Sequence, residues 1–211
     1  MGVQAFGADN ESVQGYSFKS WKAKAGEKYR IGFVYFNDNP KTMFLGVPIH
    51  YKDRYFVCKS TPEKKAICCT HHYDGNKPRW RVGSVIVMYE MENKKLRGYK
   101  LKPWVFTDKM YQKLKTANDE FPLSSHDIIL SCTNEAYQTI EPQTCKESFW
   151  QVKEELKNKI MNEAKSIYDD IGDNLASDLS IEEIKELLGI DDAGSGDAAE
   201  NIELGDVLED M

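Results

Sequence analysis

Over the first two-thirds of the chain, apolar and polar residues alternate with period two in short runs, the signature of β-strands with one face buried. Residues 16–22 (Tyr-Ser-Phe-Lys-Ser-Trp-Lys) alternate strictly and predict a strand, and residues 29–36 predict a second. A turn cluster, Asn37-Asp-Asn-Pro40, follows. Residues 43–49 and 54–58 then read as two strands joined through a Lys52-Asp53 turn. Residues 58–74 form a cysteine- and histidine-rich excursion closed by Gly75-Asn-Lys-Pro78. The run at 82–89 (Val-Gly-Ser-Val-Ile-Val-Met-Tyr) is β-branched and nearly continuous, so it is expected to be buried on both faces, with residues 96–101 as its partner. Thr107 caps a short amphipathic helix at 108–115, with Met110, Tyr111 and Leu114 on one face. Residues 127–131 and 137–140 complete the strands.

From Ser148 the period changes to 3.6, and Phe149, Val152, Leu156, Ile160, Ala164 and Ile167 make an apolar stripe along a helix of about six turns. Ser180-Ile-Glu-Glu183 is a capping box for a second helix ending at Gly189. The fold class is mainly β with helical additions. Short strands around one interposed helix predict an OB-fold-like five-stranded barrel with a metal-stapled subdomain. The expected organisation is a flexible arm over 1–15, a core over 16–145 that includes a metal loop at 50–75, a helical segment over 146–190, and a disordered acidic tail over 191–211. No run approaches the ~18–20 apolar residues of a membrane span. Met1-Gly-Val-Gln-Ala-Phe6 lacks the basic and apolar regions of a secretory signal, and Phe6 argues against myristoylation. A soluble, cytoplasmic protein is expected, in the host cytoplasm if the source is viral.

Charge changes this picture. The net charge of −6 over 211 residues conceals a split: residues 1–150 carry 23 Lys and Arg against 16 Asp and Glu, whereas 151–211 carry 5 against 18. A basic body beside an acidic end points to a polyanionic partner for the body. Of the 24 aromatic residues, 18 lie between Tyr16 and Tyr111, interleaved with most of the cations. A single nucleic-acid strand offers phosphates to Lys and Arg and bare base faces to rings. The candidate binding residues are Arg79, Arg81, Lys94, Lys95, Arg97, Lys100 and Lys102 for phosphate, with Trp80, Tyr99 and Trp104 for stacking. Alternation puts Tyr99 and Leu101 on one face and Lys100 and Lys102 on the other, so not all of them can enter one groove.

Five cysteines, three of them within twelve residues, suggest a metal or free thiols in an unexported chain. Zinc takes four N or S ligands, commonly a close pair and a distant pair. Cys68-x2-His71 and Cys69-x2-His72 are overlapping close pairs, and Cys58 and His50 can supply the rest. The preferred set is His50, Cys58, Cys68 and His71, holding structural zinc, because no Glu accompanies them as a general base. There is no GxSxG, no P-loop and no histidine paired with a nucleophile, so an enzyme is not expected. Asp38, Asp53 and Asp127 read as isolated, solvated turn residues.

The order of these features resembles the zinc-containing single-stranded-DNA-binding, helix-destabilising proteins of large tailed bacteriophages. Val47-Pro-Ile-His50, Tyr55-Phe-Val-Cys58 and the spacing Cys58-x9-Cys68-x2-His71 match that family's His, Cys-x9-Cys-x2-Cys pattern with His in the last place. Ser84-Val-Ile-Val-Met88 and Gly98-Tyr-Lys-Leu101, followed by residues 108–114 (Asp-Lys-Met-Tyr-Gln-Lys-Leu), are similar to its central strand and following helix. The resemblance covers residues 16–142. It implies a sequence-tolerant protein that coats and protects single-stranded DNA in phage replication, recombination and repair. Residues 1–15 lack the Lys/Arg motif with which that family associates cooperatively. Residues 201–211 mix acids with Ile202, Leu204, Val207 and Leu208, a pattern suited to a basic-rimmed apolar pocket or to competition with the strand for the basic groove. The resemblance assigns the docking role to replication or recombination proteins. The alternatives are a metal-dependent nuclease, which would need clustered carboxylates, and a zinc-stapled protein–protein adaptor.

Overall fold

A computed structural model describes residues 19–70, 77–92, 95–133, 140–151 and 154–190. The expected arm at 1–15 and acidic tail at 191–211 lie outside the described residues. The continuous β-branched run becomes the middle of the strand Arg79–Glu92, and every residue from Arg81 to Val87 is buried. In chain order the strands are β1 (Lys28–Phe33), β2 (Leu45–Lys52), β3 (Arg54–Val57), β4 (Arg79–Glu92), β5 (Lys95–Thr107), β6 (Ile128–Cys132) and β7 (Ile140–Thr144). Between β3 and β4 lies a single helical turn, α1 (Ile67–Thr70). The longer helices are α2 (Asp108–Glu120), α3 (Glu154–Asn174) and α4 (Ile181–Leu188).

β4 organises the sheet. Its 14 residues take β5 along one edge, while the other edge is shared end to end: Arg79–Gly83 pair with β2 and Ile86–Met88 with β1. The path runs β3-β2-β4-β1-β6-β7 with β5 on β4, and all pairings are antiparallel. The sheet therefore has seven strands in place of the five expected, and among the described residues it stays open. Period-two patterning counts strands and assigns faces, but the edge each strand pairs with is decided by β4 being long enough to hold two partners in line.

Residues 19–22 correct the first expected strand. Instead of joining the ladder, Trp21 donates its N–H to the Pro103 carbonyl (2.7 Å) and the Ser20 hydroxyl accepts from the Val105 N–H (2.8 Å). The Trp21 ring packs edge-on against Tyr29 and Trp104. The β2–β3 turn forms where expected, with Asp53 in the left-handed region at φ 59°.

Two apolar layers sandwich the sheet. Ile31, Phe33, Val82, Ile86, Trp104, Phe106, Ile128 and Leu130 pack with Met110 and Leu114 of α2. Val85 and Val87 on the other face pack with Trp150 and with Ile160, Ala164 and Ile171 of α3. Each such side chain contributes ~1.5–3 kcal/mol. Gly83 permits the close approach of α3, since a Cβ there would come within 2.3 Å of Ile171 Cγ2. Asp127 corrects the solvated-turn expectation: it is fully buried and accepts from Arg30 Nε (3.0 Å), Tyr89 Oη (2.8 Å) and the Phe149 N–H (3.1 Å). Burial pushes its pKa up in spite of these donors.

Candidate functional site

The excursion after β3 brings four ligand-type side chains together. His50 sits on β2 opposite Phe56 of β3, Cys58 follows the end of β3, and α1 carries the adjacent pair Cys68 and Cys69. Their ligand atoms all lie within 4.8 Å of one another, and all four residues are buried. Cys58 Sγ stands 3.4 Å from Cys69 Sγ and 3.8 Å from Cys68 Sγ, and Cys69 Sγ stands 3.3 Å from His50 Nε2. Zinc–sulfur bonds of ~2.3 Å in a tetrahedron set sulfurs about 3.8 Å apart, so the spacing and the donor types both fit a metal ion. The cluster unites His50, Cys58 and Cys68 as expected and adds Cys69. His71 and His72 lie outside the described residues.

The surroundings prepare the thiols. The Ser60 N–H donates to Cys58 Sγ (3.5 Å) and its hydroxyl donates to Cys69 Sγ (2.9 Å), while accepting from the Ala66 N–H (2.8 Å). Burial pushes the Cys68 thiol up to about 11 and also raises Cys69. At Cys58 burial is outweighed by the Ser60 bonds and by the neighbouring thiols, and the pKa comes down. The cluster is sealed from an unexpected quarter. Leu179 and Ile184 complete its apolar shell, with Leu187 and Leu188 packed against it. Ser177 bridges to Phe56, exchanging backbone bonds with Tyr55 and Val57, and Lys59 pairs with Asp178.

Beside the cluster runs a groove of about 740 Å³, lined in part by His50, Tyr51, Tyr55, Lys77, Arg79, Trp80, Arg81 and Lys109. Trp80 is 49% and Tyr51 43% exposed. The Tyr51 and Tyr55 rings are 4.9 Å apart, and the Arg81 guanidinium lies 4.3 Å over Tyr55. Arg81 itself is only 7% exposed, and this burial lowers its pKa. Among the described residues one carboxylate, Asp108, lines the groove, and it accepts from Gln112. The described lining holds no cluster of carboxylates such as a nuclease needs. What the groove offers chemically is flat apolar faces beside four cations, with His50 belonging to groove and cluster alike.

Of the residues expected to bind a strand, Arg79, Trp80 and Arg81 line this groove. The other described ones lie elsewhere. Trp104 is a correction: it is 2% exposed and packs against Phe33, Trp21 and Phe106. It shares the face of Lys100 and Lys102, but there α2 and Trp21 cover the sheet. The Tyr99 hydroxyl donates to Glu163 of α3 (2.8 Å), and Leu101 packs into the same layer. Arg97 pairs with Glu92 and Lys100 with Glu90, near the far end of the β4–β5 ribbon. Glu90, opposite Gly98, stands nine residues beyond Arg81, about 30 Å at ~3.3 Å per residue. Lys102 is exposed opposite Ile86. Lys94 lies outside the described residues, as does the Lys95 side chain. Lys77 heads the basic stretch Lys77-Pro-Arg-Trp-Arg81 that the sequence marks, whereas Tyr51, Tyr55 and Lys109 were not singled out as binding residues. A signal existed for the tyrosines, which flank a tight turn symmetrically and so must oppose each other across the hairpin.

Among the described residues no helix is long and apolar enough to cross a membrane. Comparison of the chain with protein-family models, curated proteins and solved structures found no match.

Proposed function

We propose that this chain is a non-enzymatic, sequence-tolerant single-stranded-DNA-binding protein. It would coat and protect the strand in replication, recombination and repair, as the zinc-containing phage proteins it resembles do. The observation that carries the reading is the groove, whose lining brings Trp80, Tyr51 and Tyr55 together with Lys77, Arg79, Arg81 and Lys109. Rings accept any base and cations accept any phosphate, so binding of this kind has little need of sequence. The OB-fold-like reading of the core draws on β4 holding β1, β2 and β5 antiparallel around it, with α2 packed beneath.

Structural zinc held by His50, Cys58, Cys68 and Cys69 is part of the proposal. When bound, it cross-links β2, the end of β3 and α1, and so stiffens the groove wall that carries Tyr51 and Tyr55. Four protein ligands leave no open coordination position, which suits a structural rather than a catalytic ion. The acidic 191–211 segment would dock to partner proteins and compete for the groove.

Titration of a labelled oligo-dT strand by fluorescence anisotropy tests the reading. With four cations on phosphate and a slope of about −0.7 each, binding should weaken roughly 50-fold from about 50 to about 200 mM salt. A duplex of equal length should fail to displace the strand. No binding at the lower salt would refute the proposal.

A further inference from the structure

We propose that Arg81 is the positioning residue of the stacking surface: its flat guanidinium, laid on the Tyr55 ring, fixes the Tyr55–Tyr51 pair on which a base is received. The inference rests on the single-strand reading of the groove. Register puts the three side chains on one face of the sheet. Arg81 stands opposite Val47 of β2, and Tyr51, four residues farther along β2, stands opposite Tyr55 of β3. Because β2 lies between β4 and β3, the Arg81 side chain reaches across two strand spacings of ~4.8 Å to meet Tyr55. Its guanidinium lies 4.3 Å over that ring, and the Tyr55 and Tyr51 ring centres are 4.9 Å apart.

The two ends of this row differ in how firmly they are held. Arg81 is flanked on both sides, by Val47 of β2 and Thr107 of β5, and is 7% exposed. Tyr51 stands beside the turn of the β2–β3 hairpin and is 43% exposed. A ring so placed loses rotamer freedom when a base settles on it, and that loss subtracts from affinity unless the ring is already ordered. The row orders it in advance, since Arg81 fixes Tyr55 and Tyr55 packs against Tyr51. Planarity is what this role needs. A guanidinium stacks on a ring as a plate, whereas a lysine ammonium is a compact, hydrated point charge on a flexible stem. The charge at position 81 serves phosphate whichever residue carries it, and the shape of Arg81 serves the base.

The test titrates the full chain and its variants with two strands of about 8 nucleotides, oligo-dT and an abasic strand that keeps the phosphates and lacks the bases. The readout is the ratio of the two affinities. Arg81→Lys should lower it about 5- to 10-fold, near the lower end of what one stacked base is worth. Its affinity for the abasic strand and its salt slope should equal the parent's, because the charge stays. Arg81→Gln, too short to reach Tyr55 and uncharged, should lower the ratio as much and flatten the slope by ~0.7. Tyr55→Leu should lower the ratio as well, and adding Arg81→Lys to it should lower it no further. A ratio unchanged in the Arg81 variants, or losses that add in the double variant, would overturn the positioning role and leave the groove reading standing. A parent chain that fails to bind oligo-dT, or binds it no better than the abasic strand, would overturn the groove reading and this role with it.

Discussion

Two tryptophans with similar sequence surroundings have opposite duties. Trp80 and Trp104 each sit in a basic stretch, Arg79-Trp-Arg81 and Lys102-Pro-Trp104, yet one is half exposed in the groove and the other lies in the core. Trp80→Ala should weaken oligonucleotide binding by ~1–3 kcal/mol and leave the urea midpoint nearly unchanged. Trp104→Ala should cost ~3–5 kcal/mol of stability, read from the same urea titration. The reverse assignment would mean that the groove has been misplaced. From sequence the pair could not be separated, because alternation assigns a face and not what covers it. Asp127 was equally opaque, since its partners Arg30 and Tyr89 come from 97 and 38 residues away. Tyr89→Phe removes one of its donors and should cost ~1–3 kcal/mol. Burial raises the folded-state pKa of Asp127 above its unfolded value near 3.9. Its contribution to stability is therefore full below about pH 3.9 and is lost as pH climbs through the folded pKa. In Asp127→Asn, urea-derived stability should not fall over that interval as the parent's does.

The helices were readable from sequence as elements and not as partners. The capping box at Ser180 and Glu183 and the left-handed stop at Gly189 form as the pattern requires. Nothing in a 3.6-residue period, however, says that α4 will close over cysteines more than a hundred residues earlier. The same holds for the strands: most of their positions were foreseen, whereas the open seven-strand order was not, because edge pairing depends on lengths and long-range contacts. The contact of α4 with the cluster has a consequence. Ile184 is fully buried against Phe56, Cys58, Cys68 and Cys69, so Ile184→Ala should cost ~2–5 kcal/mol and speed metal release to a chromophoric chelator. Metal content separates the two ligand registers: Cys69→Ser should lose the ion, and His71→Gln should retain it. Thiols must lose their protons to bind, and burial holds Cys68 near 11 without a metal. Uptake should thus release protons and strengthen as pH rises. Verified removal of the metal should weaken oligonucleotide binding, and unchanged affinity would detach the cluster from the groove.

The charge division of the whole chain sets a final expectation. Residues 191–211 carry eight Asp and Glu and no Lys or Arg, so their removal takes the net charge from −6 to +2. Those carboxylates have the sign of phosphate, and the cations they would meet are those proposed for the strand. Tethering keeps them at high local concentration around the body, so they compete with the strand without needing a tight complex. The competition is electrostatic and must fade as screening shortens, with a Debye length of about 10 Å at 0.1 M salt. A chain ending at Ile190 should therefore bind oligo-dT more tightly than the full chain at about 50 mM salt, and the two should converge above about 200 mM. Its salt slope should also be steeper, because the full chain gives up part of its own inhibition as salt rises. Equal affinities at low salt would confine the acidic segment to partner docking or solubility.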